Sequence, residues 1–582
     1  MSSEDKTQGL RLTAGAGLVT VRWDAVERAV GYVIYRADSA DGEFVPLEHG
    51  GSDVLAVPHF PYADADVVPG RTYHYAVAAM RDVEAEPGPR CAPGAVTVPD
   101  GPAGPVRARV DASAGVGRLS RVWRMLGSER LQQLWLEKDE AGNPVGAEFT
   151  AALRQAHDEL GTRYIRAHAI YHDDVGVFSL RDGEPHFDFS GVDDILDRLK
   201  AVGIRPILEL SFLPRDLASD PEATAFTYQG YISPPRDWTL WSELNARLAR
   251  HVIERYGVDE VAQWGFEVWN EPDLDVFWTG TKEEYFRLYE VAARAIKAVE
   301  PRLRVGGPAT AAVHWIEDFL RHASAADAPL DFLSTHTYGN APLDLRPALR
   351  RFGLSDVEIW WTEWGVGHTH FAPVHDSVYG APFVLRGLKA AQDSVDYLAY
   401  WVVSDHFEEL GRPPRLFHGG FGLLTVGNLR KPRYWAVRLA EELGDDLLRC
   451  ELDGDGAGSL VDGWASAHAD GTIDVLLWNG CATAAKFRGD PALDRVVSIE
   501  VTGLAREAYQ LGVARVDAEH SNIAAGYPTE LDWPDQRLWN DLRARDQLHV
   551  DDLGRATTDD GALSVQLALP MPGVVRLRLE PV

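Results

Sequence analysis

Two glutamates, each set among tryptophans, are the residues of this chain with the clearest chemical potential. Glu271 stands in the segment WNEP and Glu363 in the segment WWTEWG. Two facing carboxylates can hydrolyse a glycosidic bond, because one protonates the departing oxygen while the other, ionised, attacks the sugar or activates water. Tryptophans suit such a site, since sugar rings stack on them and apolar surroundings raise the pKa of a carboxyl group. A glutamate in a surface salt bridge is the plainer alternative, but it fits a single strand-end glutamate better than two in such similar settings.

Both glutamates must lie at the same edge of one scaffold if they are to act together. From about residue 118, short apolar strands alternate with stretches whose apolar residues recur every three or four positions, as in surface helices. Eight such βα units favour a (β/α)8 TIM barrel over an open sheet. Barrel active sites lie at the carboxyl ends of the strands, so Glu271 after strand four and Glu363 after strand seven are predicted to meet there. The predicted strands are 118–123, 163–170, 205–211, 264–269, 304–307, 331–336, 358–362 and 399–404, and the predicted helices between them include 149–160, 192–202, 238–256 and 281–299.

The regions on either side of the barrel have the pattern of β domains, so the fold class is multidomain α/β. Residues 9–98 alternate apolar and polar side chains between turn residues, which predicts an antiparallel β-sandwich. Its segments VRWDAV, GYVIYR and GRTYHYAV resemble a fibronectin type III module. Residues 99–117 begin with prolines and glycines and are interpreted as a linker. The catalytic barrel is predicted over 118–433 and a second β-sandwich over 434–582, which can also recruit the segment before the barrel.

Net charge, cysteine content and hydropathy exclude several kinds of partner and location. The 582 residues include 57 Lys and Arg against 88 Asp and Glu, a formal net charge of −31. Such a field repels nucleic-acid phosphates and anionic lipids, so neither nucleic acid nor a membrane is expected as a partner. The three cysteines are too few for a disulfide framework, and the first residues lack the pattern of a secretory signal. With no apolar run long enough to span a bilayer, a soluble cytoplasmic protein is expected.

The two glutamate motifs look like the acid/base and nucleophile motifs of retaining barrel glycosidases. Further segments resemble glycoside hydrolase family 39, which includes β-xylosidases and α-L-iduronidases. They are RYIRAHAIYHDDVGVF at 163–178, FDFSGVDDILDRLKAVGIRPILELSFLP at 187–214, DFLSTHTYG at 331–339, AYWVVSDHFEE at 399–409 and RVDAEHSNI at 515–523. The resemblance covers nearly everything from about 115 to 525 and leaves the N-terminal module outside it.

The resemblance implies a role for each motif residue. It makes Glu271 the general acid/base and Glu363 the nucleophile, with Asn270 hydrogen-bonded to the sugar 2-hydroxyl. Tyr338 is also a candidate contact of the nucleophile, and Trp401 is either a stacking platform or a buried barrel residue. Further substrate contacts are expected after strands two, six and eight, from His168, His336, Tyr338, Trp401, Glu408 and Glu409. Glu267 is expected in the barrel interior.

One cluster, His168, His172, Asp173 and Asp174, has side chains of the kind that bind divalent metals. A strand followed by a loop does not place residues i and i+4 on one face, however, and no further histidine motif completes a site. The resemblance instead places His168 on sugar hydroxyls. Neither a metal nor an organic cofactor is therefore expected.

The quoted segments look closer to the β-xylosidase branch of the family. An iduronidase must neutralise a substrate carboxylate with Arg or Lys near the cleft. The motif cores offer only Arg163 and Arg166 on strand two, with Arg412 and Arg415 beyond strand eight. The preferred hypothesis is hydrolysis of terminal β-D-xylosyl residues from short oligosaccharides or glycosides. The alternatives are the same mechanism on an α-L-arabinoside, β-glucoside, β-galactoside or α-L-iduronide, and a barrel that binds carbohydrate without catalysis. The sequence leaves a homo-oligomer open.

Overall fold

The N-terminal region folds into two antiparallel sheets that share one core. The computed structural model describes residues 6–49, 51–138, 145–406, 409–411, 415–528 and 530–582. The first sheet contains β1 (Arg11–Gly15), β2 (Leu18–Arg22) and β5 (Tyr62–Asp64), and the second contains β3 (Gly31–Ala37), β4 (Val45–Pro46), β6 (Thr72–Met80) and β7 (Gly94–Thr97). Val21 of the first sheet packs in one buried cluster with Ile34 and Val77 of the second. The predicted sandwich is thus present, whereas its likeness to a fibronectin type III module stays a prediction.

After β8 (Val106–Arg118), whose place is described below, eight parallel strands of the described chain close into the predicted barrel. Closure occurs where Tyr400 on the last strand pairs with Leu126 on the first. The barrel strands are β9 (Met125–Arg130), β10 (Tyr164–His168), β13 (Arg205–Glu209), β16 (Gly265–Glu267), β17 (Arg304–Thr310), β18 (Phe332–Tyr338), β19 (Glu358–Gly365) and β20 (Tyr397–Tyr400). Two short hairpins accompany them, β11 (Phe178–Arg181) with β12 (Glu184–Phe187) and β14 (Thr224–Ala225) with β15 (Gly230–Tyr231).

The helices around the barrel begin at residues suited to capping. The Asp237 carboxylate accepts hydrogen bonds from two backbone N–H groups of the first turn of its helix, and Thr281 and Glu284 form a reciprocal capping box. The helices are α1 (Val145–Leu160), α2 (Ser190–Val202), α3 (Trp238–Tyr256), α4 (Val258–Val261), α5 (Lys282–Val299), α6 (Ile316–Ala326), α7 (Arg346–Arg351), α8 (Gly380–Ala391) and α9 (Pro432–Glu441). Among the described residues, we find no helix with the length and apolar character needed to cross a membrane.

The C-terminal domain is one hydrogen-bonded sheet of nine strands. Its elements are β21 (Asp446–Gly454), β22 (Val461–Ala467), β23 (Ile473–Asn479), β24 (Arg495–Thr502), β25 (Ala508–Val516), α10 (Gln536–Arg545), β26 (His549–Thr557), β27 (Leu563–Leu569) and β28 (Gly573–Pro581). The strand order is β26-β25-β28-β23-β22-β21-β8-β24-β27. Leu511 of β25 and Leu567 of β27, near opposite ends of this order, belong to one buried cluster, so the sheet curls around a single core in the manner of a sandwich.

Three predicted boundaries were wrong. Val106–Arg118 is not a linker but strand β8, antiparallel to β21 and parallel to β24, and its alternating Val106, Ala108 and Val110 are buried in the domain core. The first barrel strand is consequently Met125–Arg130, and not residues 118–123. The boundary at 433/434 divides α9, where the Tyr434 hydroxyl donates to the carbonyl oxygen of Gln155 on α1 at 3.3 Å. That helix therefore belongs to the barrel.

The N-terminal module shares a hydrophobic core with the barrel. Val33, Val54 and Met80 of the module lie in the same buried cluster as the barrel residues. Asn340 Nδ2, just after β18, donates to the carbonyl oxygen of Ala56 at 2.5 Å. The module is therefore packed against the carboxyl end of the barrel strands, which is the end where a barrel carries its active site.

Candidate active site

Glu271 and Glu363 meet at the carboxyl end of the barrel, one after β16 and the other in β19. His336 of β18 lies between them, with its Nδ1 2.8 Å from Glu271 Oε1 and 3.8 Å from Glu363 Oε2. One ligand atom from each of these three side chains lies within 4.8 Å of those of the other two. This upper bound on the approach of the two carboxylates agrees better with the separation of about 5–5.5 Å used in a double displacement than with the about 6.5–9.5 Å used in inversion.

The Glu363 carboxylate is held from both sides by hydrogen-bond donors. The guanidinium of Arg166 donates to Oε1, and the Tyr338 hydroxyl donates to Oε2 at 2.7 Å. Burial raises the pKa of Glu363, while His336 and Arg166 oppose that rise. The donors on both oxygens favour the ionised form, which is the form that can attack an electrophilic carbon.

Arg166 is the centre of a fully buried charge network beneath Glu363. Its Nε lies 2.7 Å from Glu267 Oε2 and one terminal nitrogen lies 2.8 Å from Glu209 Oε2, with all three side chains fully buried. Burial lowers the pKa of Arg166, but Glu209 and Glu267 outweigh it, so the net shift is upward and the side chain remains a cation. Because Arg166 is surrounded by these partners, its charge fixes Glu363 in place and is not free for a substrate carboxylate.

Asn270 is oriented by the same arginine. Its Oδ1 accepts a hydrogen bond from Arg166 at 2.8 Å, which fixes Nδ2 as the amide group able to donate elsewhere. Asn270 lines the cavity that contains both glutamates. Its amide can therefore donate to a sugar hydroxyl beside the reacting carbon.

Glu271 stands on a strained turn between β16 and α5. Trp269 and Glu271 have φ angles of 74° and 41° in the left-handed region, which L-residues with a Cβ adopt at a cost. The turn is held because Glu271 N donates to the carbonyl oxygen of Ala309 at 2.8 Å and Trp269 Nε1 to that of Phe277 at 2.9 Å. Burial, with Asp273 and Glu409 nearby, raises the pKa of Glu271 to about 8. The side chain therefore carries a proton at neutral pH, as a general acid requires.

Most residues predicted to bind substrate lie around one cavity of about 400 Å³. Asn270, Glu271, Tyr338 and Glu363 line it together with His168, Trp401 and Glu409. None of the described residues that line it is lysine or arginine. The cavity thus offers aromatic faces and acceptors for hydroxyl groups, but no fixed cation for an acidic sugar.

The positions of the other residues predicted to bind substrate follow from their own contacts. His168 Nδ1 lies 2.6 Å from Glu209 Oε2, and its ring centroid is 4.9 Å from that of Trp401. Trp401 is thus both a buried residue, at 3% exposure, and part of the cavity wall. His336 is fully buried behind Glu271, with Nε2 3.2 Å from Thr362 Oγ1. Glu408 lies outside the described residues.

The four side chains considered as metal ligands, those of His168, His172, Asp173 and Asp174, do not bring their ligand atoms to one point. His168 faces Glu209, whereas His172 Nδ1 lies 2.7 Å from Asp174 Oδ1, and Asp173 accepts from a backbone N–H. Among the described residues, the set whose ligand atoms do converge is Glu271, His336 and Glu363. The hydrogen bond between His336 and Glu271 and the contact of Arg166 with Glu363 already account for the placement of these residues.

Sequence reasoning missed the residues that hold the site together, namely Arg166, Glu209 and Asp53. A usable signal existed for Arg166, because it stands two residues before His168 in an otherwise apolar strand and so shares its inward face. Glu209 likewise ends an apolar strand. Asp53 comes from another domain, and no pattern within its own segment marks it.

The chain is similar to known proteins in both sequence and fold. The sequence model of the glycosyl hydrolases family 39 matches residues 106–350 and 344–534. A β-xylosidase of Geobacillus stearothermophilus is 36% identical over 388 residues, which are 61% of this chain and 75% of that protein. The crystal structure of the GH39 enzyme from Xanthomonas axonopodis pv. citri has a TM-score of 0.72 at 30% identity, covering 83% of this chain and 100% of that one. A monomeric β-xylosidase from Caulobacter crescentus CB15 has a TM-score of 0.70 at 30% identity, covering 82% and 99%.

The family match spans well over half of the chain and includes both glutamate motifs. The chain therefore belongs to glycosyl hydrolase family 39, and it is a glycosidase.

Proposed function

We propose that this protein is a retaining exo-glycosidase that releases terminal β-D-xylosyl residues from short oligosaccharides or glycosides. The observation that carries the proposal is the pairing of an arginine-bound carboxylate, Glu363, with the facing carboxyl Glu271, whose pKa is raised to about 8. One group is suited to attack and the other to donate a proton. The relatives named β-xylosidases support the choice of sugar.

In the first step, a Glu363 oxygen forms a bond to the anomeric carbon as the bond from that carbon to the leaving oxygen breaks. Glu271 gives its proton to that oxygen, so the leaving group departs as a neutral alcohol. Arg166 and the Tyr338 hydroxyl keep the Glu363 carboxylate oriented during the attack. The product of this step is a glycosyl ester on Glu363.

In the second step, Glu271 acts as a base and takes a proton from water. The water oxygen bonds to the anomeric carbon as the ester bond to Glu363 breaks. Two inversions restore the original configuration, and both glutamates return to their starting protonation states. We expect Asn270 Nδ2 to donate to the sugar 2-hydroxyl in both transition states, since Oδ1 accepts from Arg166.

A neutral sugar is favoured over an iduronide. The described cavity lining contains no lysine or arginine, and Arg166 is occupied by Glu209, Glu267 and Glu363. Arg163 is exposed at the start of β10, the end of the strand away from the cavity. A uronate carboxylate near Glu409 would meet like charge in the cavity wall. Cytoplasmic location stays a prediction, and a homo-oligomer stays open.

The stereochemical outcome tests the proposal directly. Purified enzyme acting on an aryl β-D-xyloside is followed by proton NMR, and the β-anomer of xylose is expected to appear first. Early α-anomer would mean inversion and would remove the nucleophile role of Glu363. Hydrolysis of another glycoside but no xyloside in the same panel would keep the mechanism and replace the sugar.

Activity is also expected to fall as pH rises through about 8, because only protonated Glu271 can donate to the leaving oxygen. Because the pKa of Glu271 is raised, its side chain is fully protonated well below this pH and loses its proton above it. The measurement is kcat/KM against pH with a xyloside whose leaving group needs protonation. In Glu271→Gln, assayed with a dinitrophenyl xyloside that needs little protonation, this basic limb should be absent. A limb that persists in the variant would belong to another group.

A further inference from the structure

The N-terminal module reaches the rim of the catalytic cavity through the loop that contains Asp53. The Asp53 carboxylate accepts hydrogen bonds from Thr337 Oγ1 at 2.6 Å and from Tyr338 N at 2.9 Å. Gly339 permits this contact, because at its φ of +71° an added Cβ would lie 2.3 Å from the carbonyl oxygen of Gly51. Asp53 is itself part of the cavity wall. The module therefore borders the site directly.

A second cavity, of about 430 Å³, continues from the first across the surface of the module. The two cavities share Asp53, Ala312 and His314 in their linings. Beyond these shared residues, the second cavity is lined largely by the module, including the side chains of Tyr35 and Leu55. Leu55 is 45% exposed, so an apolar surface is available there.

The second cavity lies on the acid/base side of the catalytic pair. Glu271 N is bonded to Ala309, and Asp273 Oδ2 lies 3.0 Å from His314 Nδ1 in the loop after β17. Several residues expected to hold the transferred sugar, namely His168, Trp401 and Glu409, belong to or follow β10 and β20, which lie across the barrel from β17 in the strand order. A leaving group protonated by Glu271 therefore extends toward the second cavity.

We propose that the N-terminal module forms the binding site for the leaving group, and that this leaving group is a neutral saccharide chain of two or more units. This inference rests on the proposed function and specifies its substrate. Tyr35 and Leu55 offer apolar surface for sugar faces. The carboxylates of Asp53, Glu84 and Glu86, which all line this cavity, accept hydrogen bonds from hydroxyls and repel an acidic sugar.

The test compares kcat/KM for xylobiose, xylotriose, xylotetraose and an aryl β-D-xyloside. Xylobiose places one sugar beyond Glu271, whereas the longer chains extend into the second cavity. We expect kcat/KM to rise about tenfold from xylobiose to xylotetraose, since remote contacts lower the barrier to cleavage. Equal kcat/KM values along this series, with the aryl xyloside still cleaved, would overturn the inference and leave the proposed function intact. Failure to cleave any of the four would overturn both.

A pair of variants locates the effect on the module. Leu55→Ala is expected to lower the ratio of kcat/KM for xylotetraose to that for the aryl xyloside about fivefold, through lost apolar contact. The matched control is Val68→Ala, because Val68 is 56% exposed on the same module and lines neither cavity. That control should leave the ratio unchanged. If the ratio in Leu55→Ala is also unchanged, the module does not form the leaving-group site.

Discussion

Replacement of Glu363 by glutamine is expected to lower kcat on an aryl β-D-xyloside by about 10⁴-fold or more. The amide cannot form the glycosyl ester. It also has a single acceptor oxygen, so it cannot receive both the Arg166 and the Tyr338 hydrogen bonds. Steady-state kinetics with a sensitive chromogenic substrate provides the measurement.

Two further variants make this result specific to the nucleophile. Glu358→Gln changes a glutamate at the start of the same strand, 41% exposed and paired with Arg304, and should retain activity. Glu363→Gly should regain turnover with azide and yield an α-xylosyl azide, because a single displacement inverts the anomeric carbon. Activity within tenfold of wild type in Glu363→Gln, or a β-azide product, would assign the nucleophile elsewhere.

Replacement of Arg166 by methionine is expected to lower the free energy of unfolding by about 3–5 kcal/mol. The substitution removes the buried cation and leaves Glu209, Glu267 and Glu363 without their shared partner. Desolvated carboxylates without a counter-charge are costly in a protein interior. Urea unfolding at neutral pH, followed by tryptophan fluorescence, measures the change.

Arg205→Met is the matched control for this prediction. Arg205 lies on the neighbouring barrel strand and pairs with Glu260, but both side chains are about one-third exposed. Such a solvated pair contributes about 0–1 kcal/mol. Similar losses in the two variants would mean that the buried network has no special part in stability.

The barrel and its two glutamates could be predicted from the sequence because both depend on local patterns. Apolar strands alternating with amphipathic helices specify the barrel, and strand-end position places Glu271 and Glu363 on one rim. The roles of His168 and Tyr338 came from the family resemblance, and both side chains do lie at the cavity. Their contacts with substrate stay predictions.

What escaped prediction depends on contacts between distant parts of the chain. The burial of Arg166 follows from three carboxylates supplied by different strands, and no single segment carries that information. The left-handed turn at Trp269 and Glu271 is stabilised by Ala309 of the next βα unit. Strand β8 was assigned to a linker because the prolines and glycines before it concealed its alternation, although the expectation that the second sandwich can recruit the segment before the barrel is confirmed.

The position of β8 has a consequence for how the chain folds during synthesis. Val110 of β8 pairs with Cys450 of β21, a separation of 450 − 110 = 340 residues. At about 5–20 residues per second, the ribosome delivers that partner only after tens of seconds. Meanwhile the nascent strand has an unpaired edge, a known template for aggregation. Chains cut short before β21 should therefore be prone to aggregate, even though their barrel strands are all present.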